Sequence, residues 1–136
     1  MIGWRGKSGS SGPPLIDHGY LERLAGHLGH EVMQELLADG MLELSDRLTR
    51  IEELALKGDR EALAALTHDI VGAAGHLGLS AMSSHAAEAN RALQDQRGSN
   101  LMACVRDMLD CRDASVNALG RFCRENVVRA AEPPGR

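Results

Sequence analysis

The 136-residue sequence predicts an all-α protein: an antiparallel up-and-down four-helix bundle with an additional short N-terminal helix. Three observations predict it. The four prolines, Pro13, Pro14, Pro133 and Pro134, leave the stretch from Leu15 to Glu132 free of helix breakers. Aromatic residues are only 2% of the chain while hydrophobic residues reach 43%, so the core has to be built from Leu, Ala, Met and Val. The β-branched residues are sparse and do not alternate, which leaves a sandwich, a barrel or a doubly wound sheet without support.

The elements follow in order. Residues 1–14, with their Ser/Gly/Pro-rich end, read as a flexible linker, and Trp4 within it is not expected in the core. The folded domain is expected over 15–129 and a disordered tail over 130–136. Asp17 suits the N-cap of a short helix carrying Tyr20, Leu21, Leu24 and Leu28 and ending near Gly26 or Gly29. A second helix runs from about His30 to Lys57, with Val32, Met33, Leu36, Leu37, Met41, Leu44, Leu48, Ile51 and Leu54 in helical period and a kink expected at Gly40. Gly58 suits a left-handed helix end and Asp59 the next cap.

The third helix extends from Asp59 to about Leu77 and is stopped by Gly78. Leu79, Met82, Ala86, Ala89 and Leu93 then form the narrow seam of a fourth helix opened by Leu79 or Ser80. Arg97-Gly98-Ser99-Asn100 is the next break, with Ser99 or Asn100 as cap. The last helix covers about Leu101 to Val128, with Leu101, Val105, Met108, Cys111, Leu119 and Phe122 inward. Short connections make neighbouring helices antiparallel.

Composition narrows the function. A formal net charge of −4 and a pI near 5.8 argue against nucleic-acid binding. No apolar run approaches the roughly 20 residues of a membrane span, so no membrane contact is expected. Arg5 and Lys7 have no apolar stretch behind them, so a secretory signal is not expected either. Cys104, Cys111 and Cys123 give no disulfide framework and fit a reducing cytoplasm, and Cys104 and Cys111, seven apart on one helical face, read as small core residues.

The third helix carries an unusual stripe. Its core face is Leu63, Leu66, Ile70, Ala73 or Ala74, and Leu77. His68 lies about 160° from both Leu66 and Ile70, so it points away from the core. Ala64, Gly72 and Gly75 share its direction within about 40°. Each glycine costs about 1 kcal/mol inside a helix. A solvent-facing stripe is ordinarily charged; here it is bare around one imidazole, leaving room for a large partner to approach. Close helix packing at the two glycines, with an incidental surface His68, is the competing reading.

This segment resembles the signature of histidine phosphotransfer (HPt) domains of bacterial multistep two-component phosphorelays: His-x-(Leu/Ile)-Lys-Gly, with a further Gly ten positions after the His. His68, Ile70, Gly72 and Gly78 match in register, Ala65 and Leu66 suit the preceding turn, and the Leu15-Ile16-Asp17 lead-in and Gly58-Asp59 boundary also fit. The resemblance covers about 15–125. It departs at Val71, where the family carries Lys; Val71 is expected to offer apolar contact to a partner instead.

The resemblance implies that Nε2 of His68 takes a phosphoryl group from a receiver-domain aspartyl phosphate and passes it to another receiver. A neutral imidazole is a competent nucleophile near pH 7, whereas phosphoryl transfer also needs in-line approach and charge neutralisation. The chain has no phosphate-binding glycine loop. It is therefore expected to be a carrier and not an enzyme, with no intrinsic cofactor and no metal site, and with Mg²⁺ on the partner receiver. Response-regulator receivers and a hybrid histidine kinase are the implied partners, and a monomer is expected. An alternative is a degenerate helical adaptor that binds such partners without being phosphorylated.

The antiparallel third and fourth helices place Glu88 to Asn90 level with His68, and either side chain is expected to orient the ring. Gly72 and Val71 complete the supporting set, and Ala64, Ala65 and Gly75 the docking surface. His76 and His85 lack a third metal ligand, and His27 and His30 read as boundary residues. A di-iron bundle enzyme is unsupported, because repeated Glu-x-x-His ligands are absent.

Overall fold

The computed structural model describes residues 13–95 and 101–131, and over them every regular element is helical. The elements are α1 (His18–Leu28), α2 (His30–Lys57), α3 (Arg60–His76), α4 (Ser80–Gln94) and α5 (Leu101–Ala131). The linker reading for 1–12 with Trp4, the break at 97–100 with its caps Ser99 and Asn100, and the tail over 132–136 lie outside the described residues. α5 runs past Val128 and takes in residues 130 and 131 of the expected tail, as two consecutive alanines favour.

Capping fixes the helix starts. Oδ1 of Asp17 accepts from the Tyr20 amide at 3.1 Å, and Oδ1 of Asp59 from the Ala62 amide at 3.1 Å. Gly58 ends α2 in the left-handed region at φ 73°. Gly78 closes α3 at φ 72°. That glycine has a second reason to be bare: a Cβ there would lie 2.8 Å from Cγ of Leu21. The Gly78 carbonyl also accepts from the Asp17 amide at 2.8 Å, and Tyr20 Oη donates to the His76 carbonyl at 2.8 Å. The α3–α4 turn therefore fastens α1.

α2 packs on α1, α3 and α5, and α4 packs on α3 and α5. The core between them is aliphatic: Met33, Leu37, Leu44, Leu48 and Ile51 from α2, Leu63, Ile70 and Ala74 from α3, the whole Leu79–Leu93 seam of α4, and Leu101, Val105, Met108, Leu119 and Phe122 from α5. The apolar arc of α2 is wider than its buried face, so Val32 (52% exposed) and Leu36 (47%) look outward, as does Leu28 (38%) on α1.

Gly40 has a tertiary reason. α2 is continuous through it, and a Cβ there would collide with the Leu77 side chain, lying 3.2 Å from its Cγ. The glycine lets α3 approach α2 closely.

Candidate functional site

α3 is held by side chains of α4 at two carbonyls. Nδ2 of Asn90 donates to the Ala64 carbonyl at 2.9 Å and to Oγ1 of Thr67 at 3.0 Å. Oγ of Ser83 donates to the Val71 carbonyl at 2.9 Å. Thr67 is fully buried, although it is polar, and its hydroxyl donates to the Ala64 carbonyl at 3.1 Å. These bonds bracket His68, one turn before it and three residues after it. Sequence reasoning missed Thr67 and Ser83. The signal for Thr67 was its place one turn after Leu63 and three residues before Ile70, in the core register.

His68 itself is exposed, and among the described residues no hydrogen bond or ion pair engages its ring. It lines an open cleft of about 740 Å³ whose walls come from α1, α2 and α3, including Tyr20, Leu36, Asp39, Gly40, Glu43, Arg47, Asp69, Gly72 and His76. No α4 residue lines this cleft. Gly72 forms part of its floor, and a Cβ added there would meet nothing within 4 Å. At Gly75 the nearest atom would be Ser83 Oγ at 4.0 Å. Neither glycine is demanded by helix packing, so the stripe of small residues is surface, as its position around the helix implied.

Two expected ring partners are committed elsewhere. Asn90 has the expected level along α3, but its amide is used on Ala64 and Thr67, and its Oδ1 accepts from Gln94 Nε2 at 2.9 Å. Glu88 is exposed, with Oε1 3.7 Å from Nδ1 of His85 on its own helix. Val71 is half-buried, packing partly against the core and leaving part of its side chain exposed. Ala65 is exposed and Ala64 half-buried beside His68.

The remaining titratable groups are dispersed. His76 lines the far end of the cleft, and His18 stacks edge-on against Phe122 at a ring separation of 5.9 Å. Among the described residues no three His, Cys, Asp or Glu side chains gather as a metal ion would need. The three thiols are free and partly buried, and burial raises each above its ordinary range.

Over the described residues the fold is thus all-helical, with His68 exposed and unpartnered on an α3 that α4 anchors. The sequence model of the Hpt domain matches residues 35–122, and the chain belongs to that family of phosphoryl carriers in two-component phosphorelays. Among solved structures it is similar to histidine-containing phosphotransfer protein B (HptB) from Pseudomonas aeruginosa PAO1, with a TM-score of 0.74 at 18% identity, covering 82% of this chain and 96% of that one. No curated protein matches the sequence. Among the described residues no helix is long and apolar enough to cross a membrane.

Proposed function

We propose that this chain carries phosphoryl groups on Nε2 of His68, taking them from a receiver-domain aspartyl phosphate and giving them to a second receiver. The observation that carries this reading is the exposed ring of His68, free of partners in an open cleft, on a helix of a chain in the Hpt family. The Nε2 lone pair attacks phosphorus while the bond from phosphorus to the aspartate oxygen breaks, and the carboxylate leaves with that electron pair. The reverse step loads the second receiver.

The receiver supplies Mg²⁺ and the groups around the aspartate; this chain supplies the nucleophile and its support. α2 to α5 serve as an antiparallel four-helix bundle, with α1 closing one end of the cleft. Gly72, Gly75, Ala64 and Ala65 keep the approach to the ring low. The module acts as a cytoplasmic monomer that meets receivers and a hybrid histidine kinase.

Incubation with a phosphorylated receiver should place an acid-labile, base-stable label on the wild type and none on His68→Gln. His68 is exposed, so the variant should melt like the wild type. Label persisting in His68→Gln, or absent from the wild type with every receiver offered, overturns the reading.

A further inference from the structure

The cleft beside His68 poses a charge problem. It is lined by three carboxylates, Asp39, Glu43 and Asp69, and by one Lys or Arg side chain, Arg47. A phosphoryl group adds about −1.5 to −2 charges at pH 7. Without a cation beside it, the group would sit on His68 among like charges.

Among the described residues no other Lys or Arg lines the cleft. The only Lys or Arg of α3 is Arg60, whose Nη2 donates to the Leu93 carbonyl at 3.1 Å near the end of α4. Arg91 of α4 lies near enough to Cys104 of α5 to bear on that thiol. Arg50 of α2 does not line the cleft.

Arg47 is half-buried, and among the described residues no hydrogen bond or ion pair engages it, although Glu43 lies one turn away on the same helix. It is also level with His68. The contact of Gly40 with Leu77 fixes the register of α2 on α3. From that contact toward the Gly58 turn, Arg47 is seven residues along α2 and His68 nine along α3. At about 1.5 Å per residue the two differ by about 3 Å along the axis.

We propose that Arg47 is the phosphoryl-binding cation of this site, its guanidinium donating to the phosphoryl oxygens carried by Nε2 of His68. A planar fork with five donors suits such a group. The proposal rests on His68 being the acceptor. The neighbouring carboxylates leave the empty cleft acidic, and Arg47, paired with none of them, is free to turn to the phosphoryl group when it arrives.

The test uses phosphoramidate as donor, which needs no receiver. The Nε2 lone pair forms the new bond to phosphorus, the original nitrogen–phosphorus bond breaks, and the departing nitrogen, protonated in the reagent, leaves as ammonia. The phospho-His68 signal is then titrated by ³¹P NMR in the wild type, Arg47→Gln, Arg47→Lys and Arg50→Gln. A nearby cation favours the dianion, so Arg47→Gln should raise the second phosphoryl ionisation by roughly half a unit and speed hydrolysis about threefold. Arg47→Lys should recover most of the difference, and Arg50→Gln should match the wild type. An unchanged titration in Arg47→Gln, or an equal shift in Arg50→Gln, overturns the role of Arg47 while leaving His68 as acceptor. A wild type that takes no phosphoryl group on His68 overturns both.

Discussion

The Asn90 side-chain amide donates to the Ala64 carbonyl at 2.9 Å, and in α-helical geometry that same carbonyl receives the main-chain amide of His68. α4 therefore supports His68 through the backbone beneath it and leaves the ring untouched. Asn90→Ala should cost about 1 kcal/mol, a fall in Tm of about 3–5 °C for a domain of this size. Asn90→Asp should cost more, because a carboxylate would face the Ala64 carbonyl and the Thr67 hydroxyl oxygen. Thermal melts of both variants check the order; equal melting of Asn90→Asp and the wild type would refute it.

Three glycines should respond in opposite directions. Gly72 has open space where a Cβ would be and lies within α3, so Gly72→Ala should stabilise by about 0.5–1 kcal/mol. Gly40→Ala drives a methyl into Leu77 and should destabilise by about 1–3 kcal/mol. Gly78→Ala combines a collision with Leu21 and a left-handed backbone, and should be at least as costly. Urea unfolding midpoints at constant slope give all three signs.

Gly75→Arg places a long cation on the exposed stripe beside His68. Its site is open, with only the Ser83 hydroxyl at 4.0 Å. Transfer from a receiver should fall at least tenfold while the melt stays close to that of the wild type. Labelling by phosphoramidate should continue, because a small donor needs no docking face. Unchanged receiver transfer would show that partners do not cover this stripe.

Burial raises all three thiols, so the folded protein holds their protons more tightly than the unfolded chain. Above the ordinary thiol range the unfolded chain loses protons that the fold retains. Stability from this source is thus full at neutral pH and declines as pH rises beyond about 8.5. Alkylation by iodoacetamide at pH 8 should be slow in the native protein and fast in urea, with Cys111 protected beside Met82 and Met108. Equal rates in both conditions would contradict the burial argument.

The helices and the outward direction of His68 were legible because both depend on local pattern. The α4 seam from Leu79 to Leu93, the caps Asp17 and Asp59, and the outward direction of His68 all follow from spacing within one helix. What failed depended on the packing of one helix against another. Asn90 was placed at the right level but assigned to the ring, since spacing along α4 does not say which atom of α3 its amide meets. Gly40 was read as a weakness of its own helix when its reason is Leu77, 37 residues later. Arg47 drew no notice because an arginine between Leu44 and Leu48 is unremarkable until α3 lies beside it.

The fastening of α1 to the α3–α4 turn has a consequence for the order in which the molecule opens. An isolated helix of 11 residues is marginal in water. α1 therefore persists through Leu21 against Gly78, the Asp17 amide on the Gly78 carbonyl, and Tyr20 on His76. Release of that turn lets go of Tyr20, which is one wall of the His68 cleft. The cleft thus opens with a small subglobal unit, below the free energy of global unfolding, while Asn90 still grips the backbone under His68. Amide exchange would record this as α1 and the turn losing protection together, ahead of the middle of α3.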